Sequence, residues 1–179
     1  MPEQLLTVKD KVIYQYKLVK KVQPRPAVSG LYWMLFFSVV AAGFAFDSGS
    51  LTIWTISSAA VWQCIYIVVT KLLLARDADS SSFRSRYQWK FGFAWVGYLP
   101  IQHVPFRQYR SVILHLFWLG LAVSCLLYVW TTPAIAITTA VVHMWSLLRI
   151  VYVVLLFQSA ASPGALISYS AGSASLYVP

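Results

Sequence analysis

Val28–Phe46 reads VSGLYWMLFFSVVAAGFAF, nineteen residues without one charged side chain. About 20 predominantly apolar residues cross the hydrocarbon core of a bilayer as a helix, and this stretch has that length. A surface helix of a soluble protein would show a polar stripe; here the polar side chains are only serines and aromatic hydroxyl or indole groups. Tyr32 and Trp33 stand near its start, where amphipathic rings favour the membrane interface. Working outward, Asp47–Ser50 (DSGS) is a turn, and Leu51–Leu74 repeats the apolar pattern. Ser111–Trp130 and Ala134–Phe157 repeat it twice more, separated by Thr131–Pro133.

Composition agrees. The 179 residues are 59% hydrophobic and 11% charged, whereas soluble domains carry about 45–50% apolar and about 25% charged residues. The expected fold is an all-α integral membrane protein. Its transmembrane domain, 28–158, holds spans at 28–46, 51–74, 111–130 and 134–157, arranged as two helical hairpins. The first block follows a charged tail without a small-residue cleavage site, so it is expected to stay in the membrane as a signal anchor. Cys64 and Cys125 lie inside apolar blocks and read as small buried hydrophobes, not as a disulfide framework.

Fourteen Lys and Arg face five Asp and Glu. Lys9, Lys11, Lys17, Lys20, Lys21 and Arg25 occupy residues 1–27. Arg76, Arg84, Arg86, Lys90, Arg107 and Arg110 occupy the connection 75–110, and the two short turns hold no basic residue. The positive-inside rule then places both termini and the connection in the cytoplasm. A bacterial plasma membrane is the expected location. In the N-terminal segment Leu5, Val8, Val12, Tyr16 and Val19 recur at helical steps, which predicts a basic amphipathic helix on an anionic leaflet. Pro24 and Pro26 end it. Residues 159–179 carry no charge and are rich in Ser, Ala and Gly, and are expected to form a flexible tail.

One stretch of the connection alternates. In Arg84–Trp95, RSRYQWKFGFAW, the rings of Tyr87, Trp89, Phe91, Phe93 and Trp95 fall on every second residue, with Arg84, Arg86, Gln88 and Lys90 between the first of them. A period of two predicts an extended chain with one apolar face. Gly97, Pro100 and Pro105 would make turns, and Ile101–Val104 would supply a return strand. An isolated hairpin is marginal in water, so the ribbon is expected at the membrane interface or as a lid on the helix ends. Gly92–Tyr98 resembles part of an RNA-recognition strand, but the connection is too short for such a domain, and nucleic acid is excluded as a partner.

Ionisable groups within the spans are functional candidates by default: Lys71, His115, His143 and Arg149. Lys71 suits an anchor that snorkels to the headgroups. His115 suits a hydrogen bond near the interface, and His143 a bond to a helix carbonyl across the bundle. Arg149 is too deep to be dismissed as an anchor. Trp145 and Tyr152, four and three residues away on the same helix, are placed to support its guanidinium. No carboxylate lies inside any span, which disfavours proton- or cation-coupled transport. HExxH, GxSxG and Walker patterns are absent. No catalytic residue, metal or cofactor is therefore expected.

The surplus of cations suits anionic headgroups or phosphates, with Lys71, Arg84, Arg86, Lys90 and Arg149 as the expected contacts and His115 and His143 as intramembrane polar residues. The expected function is a non-enzymatic accessory or scaffold subunit that engages anionic lipid or an acidic partner. A second copy of the chain or another membrane protein is the expected protein partner. The rivals are a homo-oligomeric anion pore or carrier lined by Arg149 and Lys71, and a small lipid-modifying enzyme using His115 or His143 as base.

Overall fold

The computed structural model describes residues 16–47, 49–75, 86–170 and 172–178. It is mostly helical, with a small β component. In chain order the elements are β1 (Lys17–Val22), α1 (Pro26–Asp47), α2 (Ser50–Ala75), β2 (Tyr87–Phe91), β3 (Val96–Pro100), β4 (Val104–Pro105), α3 (Phe106–Trp130), α4 (Pro133–Gln158), β5 (Leu166–Tyr169) and β6 (Ala174–Val178). All four helices are long and apolar enough to cross a membrane. The chain is thus a multi-pass membrane protein by length and composition. The third helix begins at Phe106, five residues before the predicted Ser111, because its first amide bonds the Ala165 carbonyl at 2.8 Å and the start is fixed from outside the helix. The fourth opens with Pro133 at its first positions, where a missing N–H costs nothing and the fixed φ suits a helix.

α4 is the central helix: 56% of its apolar stretch is buried, against 17% for α1. It packs on α3, α2 and α1. Polar ties between helices are few. Trp54 of α2 donates its indole N–H to Thr139 Oγ1 of α4 at 3.0 Å, and Trp145 of α4 donates to the Tyr32 carbonyl of α1 at 2.8 Å. Both cysteines lie on exposed faces. This corrects the reading of them as buried. Leu31, Met34, Phe37 and Phe44 leave α1 with a broad exposed apolar surface, far beyond what a soluble monomer tolerates and ordinary where lipid is the solvent.

At one end of the bundle a four-stranded antiparallel sheet forms in the order β1-β6-β5-β4, beside the two-stranded sheet β2-β3. The fold is therefore not all-α. Two expectations change. Lys17–Val22 is a strand paired with β6, not part of an amphipathic helix; the rest of that predicted helix, residues 1–15, lies outside the described residues. The expected flexible tail contains β5 and β6, whose Ile167, Tyr169, Ala174 and Leu176 are buried. Main-chain pairing and a shared apolar core hold this segment, which no charge pattern could reveal. Since β1 precedes α1, β4 precedes α3 and β5 follows α4, the sheet gathers all three connections at one end of the bundle.

The core is densest where the sheet meets the helices. Leu74, Leu99, Val104, Tyr109, Phe157, Ile167, Tyr169 and Leu176 are essentially inaccessible there. Tyr109 donates to the Tyr169 hydroxyl at 3.1 Å, and burial pushes the Tyr169 hydroxyl well above the usual phenol range, with the bond from Tyr109 opposing it. Lys20 of β1 donates to the Leu156 carbonyl at 2.8 Å. That carbonyl belongs to the last turn of α4, where orphan acceptors and the negative end of the dipole favour a cation.

Candidate functional site

The ribbon is extended over Tyr87–Phe91, not through Trp95 as its alternation predicts. Tyr87–Phe91 pairs with Val96–Pro100 in antiparallel register, Tyr87 opposite Pro100 and Phe91 opposite Val96. The return strand thus starts at Val96, not at Ile101 as expected. The chain reverses within Gly92–Trp95, and Gly97 sits inside β3 at φ +132°, a conformation that a side chain would strain. That is why a glycine read as a turn lies in a strand. The aromatic face is divided. Trp89, Phe91 and Phe93 remain exposed, while Tyr87, at the start of β2, and Trp95, at the end of the loop, are buried.

Arg149 is what the loop meets. Its Nη1 donates to the Phe93 carbonyl at 2.8 Å and also to the Ala94 carbonyl. Trp33 of α1 adds a long 3.4 Å contact to the same Phe93 carbonyl. The guanidinium carbon lies 3.9 Å from the centroid of the Tyr32 ring. The supporting ring is therefore Tyr32 of α1, not Trp145 or Tyr152 of its own helix; Trp145 instead stacks on Tyr32 at 4.7 Å. Arg149 Nε and Nη2 are buried and have no protein acceptor, as does Trp95 Nε1.

Two cavities flank the loop. One, of about 420 Å³, is lined by Trp33, Phe36, Gln63, Phe91 and Trp145. The other, of about 350 Å³, is lined by Arg25, Val28, Trp95, Arg149 and Tyr152, and it lies where β1 turns into α1. No family model, curated protein or solved structure matches the chain. What the site can do rests on its own residues.

The other sequence candidates are dispersed. Lys90 donates to the Tyr169 carbonyl at 3.2 Å and ties the hairpin to the sheet. Arg86 donates to the His103 carbonyl at 3.1 Å. Lys71 lies 5.9 Å from the Tyr98 ring centroid, at the end of α2 nearest the hairpin. Arg84 lies outside the described residues. His115 is exposed and bonds its own helix at the Ser111 carbonyl, 2.7 Å away, so it does not join Arg149. Arg25 and Trp95 line a cavity with Arg149, which the sequence did not reveal; their only sequence signal is position, one beside Pro26 and the other closing the ribbon.

His143 is fully buried and bridges two helices. Its Nε2 lies 3.2 Å from the Phe117 carbonyl of α3, and its Nδ1 lies 2.7 Å from the Tyr66 hydroxyl of α2. A carbonyl only accepts, so Nε2 carries the proton and Nδ1 accepts from Tyr66. Both nitrogens are held by protein groups. Tyr66→Phe is expected to destabilise the bundle by about 1–2 kcal/mol, since a buried acceptor loses its donor. Chemical or thermal unfolding in detergent measures this; an unchanged midpoint would remove the tautomer assignment.

Proposed function

We propose that this is a non-enzymatic, multi-pass membrane protein that seats the sheet end of its bundle on an anionic leaflet and serves there as an accessory or scaffold subunit. One observation carries the reading. Of the fourteen basic residues, Lys9, Lys11, Arg76 and Arg84 lie outside the described residues; the other ten lie on β1, on the hairpin, on the connections, or on helix segments toward the sheet. Four of the five carboxylates, Glu3, Asp10, Asp77 and Asp79, also lie outside the described residues, and the fourteen bases outnumber the five acids in the chain. The opposite turns carry no base. Each Lys or Arg near an anionic surface contributes about 1 kcal/mol. Trp89, Phe91 and Phe93 add exposed rings at the same end, suited to the headgroup region.

Two measurements test it. With Cys64 and Cys125 replaced by alanine, a cysteine at Ser81 is expected to resist an impermeant thiol reagent added outside intact cells; labelling from outside would invert the orientation. In nanodiscs, the unfolding midpoint is expected to rise when phosphatidylglycerol replaces half the phosphatidylcholine, and the rise is expected to shrink in high salt. No lipid effect, or anion flux through protein-bearing liposomes, would favour the pore reading instead.

A further inference from the structure

We infer that the apolar cavity between α1, α2, α4 and the β2–β3 hairpin holds one acyl chain of an anionic membrane amphiphile, with Lys71 at its mouth for the head. The inference deepens the leaflet reading by naming a stoichiometric lipid, and it rests on that reading only for the charge of the head. The cavity measures about 420 Å³, within the range of about 300–1,000 Å³ usual for ligand sites. Side-chain size opens it. α2 lines it with Ala60, Cys64 and Ile67, which recur at helical steps, so two small side chains stand where bulky ones would fill the gap. α1 does not close it from the other side. Its Trp33 and Phe36 line the cavity but pack on Trp145 of α4, with centroids 5.7 and 4.4 Å away. At the far end of the same helix pair the backbones approach closely: a Cβ on Gly43 would lie 3.2 Å from the Thr52 amide nitrogen. The pair is tight at its turn and parts toward the sheet. The hairpin supplies the remaining wall. Trp89, Phe91 and Val96 line it, and Phe91 lies opposite Val96 in the ladder, so one face of the ribbon carries all three.

What fills this space follows from where it lies. Its walls are almost wholly apolar, so water would lack the 2–4 polar partners that about every buried water needs. Left empty, the lining rings would forfeit their dispersion contacts on that side. Cys64 and Phe91 are exposed, which opens the cavity to the surroundings of α1 and α2. For helices of this length and composition those surroundings are acyl chains. Lipid tails are as apolar as the helices, so close packing against rigid rings, not escape from water, retains one chain. The charge at the mouth selects the head. Lys71 follows Ile67 by one helical turn on the same face of α2. The hairpin places it independently. Its ammonium lies 5.9 Å from the Tyr98 ring centroid, and Tyr98 is directly opposite the cavity residue Trp89, so those two rings share a face. Lys71 is exposed. A chain lying along Ala60, Cys64 and Ile67 therefore brings its head to an ammonium. A fatty-acid carboxylate and an acidic phospholipid head share the chemistry that this position matches.

The test uses the whole purified chain in an uncharged detergent, with oleate, dioleoyl phosphatidylglycerol and dioleoyl phosphatidylcholine as separate probes. Native mass spectrometry counts the retained molecules. One anionic probe per chain is expected, with phosphatidylcholine bound at least threefold more weakly. Ala60→Phe fills the cavity from an exposed position and is expected to weaken binding of the anionic probe at least tenfold. Lys71→Gln is expected to abolish the preference over phosphatidylcholine. Retention of oleate alone assigns the site to a free fatty acid, and of phosphatidylglycerol alone to a phospholipid; either supports the proposal. No retained probe, equal binding of phosphatidylcholine by wild type, or unchanged binding in Ala60→Phe overturns it. Cys64 gives a reading that needs no variant. Its alkylation by N-ethylmaleimide is expected to slow at least threefold when the retained probe is added, while Cys125, exposed on α3, keeps its rate. Equal slowing of both cysteines, or of neither, overturns the proposal even where Ala60→Phe does not fold. The nanodisc effect of anionic lipid separates the two readings. Should that rise persist in Ala60→Phe while wild type retains no probe, the leaflet reading stands and the acyl-chain site falls. Should the rise be absent while one anionic probe is bound and lost in Ala60→Phe, the reverse holds.

Discussion

Gly120→Ala is expected to destabilise the bundle by about 3 kcal/mol, the upper end of what overpacking a core costs. The sign is the informative part. In an ordinary helix interior, alanine is favoured over glycine by about 1 kcal/mol, so helix propensity alone predicts stabilisation. At Gly120 of α3, however, an added Cβ would lie 2.0 Å from Cε1 of His143 and 2.3 Å from both ring nitrogens. No atom pair tolerates that approach, so the ring or the helix must move. The ring is poorly able to. Tyr66 and the Phe117 carbonyl hold its two nitrogens, and Trp62 packs against it with centroids 4.7 Å apart. Displacing the imidazole breaks both hydrogen bonds; displacing α3 opens the contact with α4. Unfolding midpoints in detergent decide the matter, and a Gly120→Ala variant as stable as wild type would show that the α3–α4 contact is looser than described. The double variant Gly120→Ala with His143→Ala is expected to be less damaged than the sum of the single changes, because the methyl group then occupies space the ring has left.

The four spans were legible because apolar run length and missing charge are local properties of the chain. The β2 strand was legible for the same reason: its period of two is complete within Tyr87–Phe91. What failed was whatever depends on a distant partner. KLVKKV at Lys17–Val22 satisfies a helical and an extended reading equally over so short a stretch. Pairing with Ala174–Val178, more than 150 residues further along, settles it, as tertiary context commonly does for strands. The C-terminal segment was misread because absence of charge and abundance of Ser and Ala describe a buried, tightly paired strand as well as a loose tail. Site residues divide in the same way. The depth of Arg149 could be counted from the end of its span, but its acceptors could not, since they are backbone carbonyls of a loop on another part of the chain. Same-helix spacing pointed to Trp145 and Tyr152; the ring under the guanidinium comes from a neighbouring helix.

Arg149→Leu is expected to destabilise the protein by about 2–3 kcal/mol, and here two large effects oppose each other. Arg149 lies nine residues before the end of α4, about 13 Å along a helix at 1.5 Å per residue. An arginine at a helix centre costs about 2.5–3.5 kcal/mol on the insertion scale, so leucine would be neutral or stabilising if the side chain only snorkelled past lipid. The loop reverses the balance. Arg149 supplies charge-assisted hydrogen bonds to the Phe93 and Ala94 carbonyls, each worth about 1.5–3 kcal/mol, and it rests on the Tyr32 ring at 3.9 Å, a contact worth about 1–2 kcal/mol when desolvated. Leucine removes these and leaves the Ala94 carbonyl without its donor, while Phe93 keeps only the 3.4 Å contact from Trp33. The burial of two unpaired guanidinium nitrogens is relieved in exchange, which is why the net loss is smaller than the sum of the lost contacts. Arg149→Lys separates charge from geometry: an ammonium retains the positive charge but not the planar fork, and an intermediate loss is expected. Limited proteolysis reports on the loop directly, with faster cleavage within Gly92–Trp95 expected in the leucine variant. If leucine instead matches wild type both in its unfolding midpoint and in cleavage rate, the guanidinium does not hold the hairpin to the bundle. The loop would then be positioned by the ring contacts of Phe91 with Trp33 and of Trp95 with Tyr169, together with the Lys90 tie to the sheet and the Trp33 contact to Phe93.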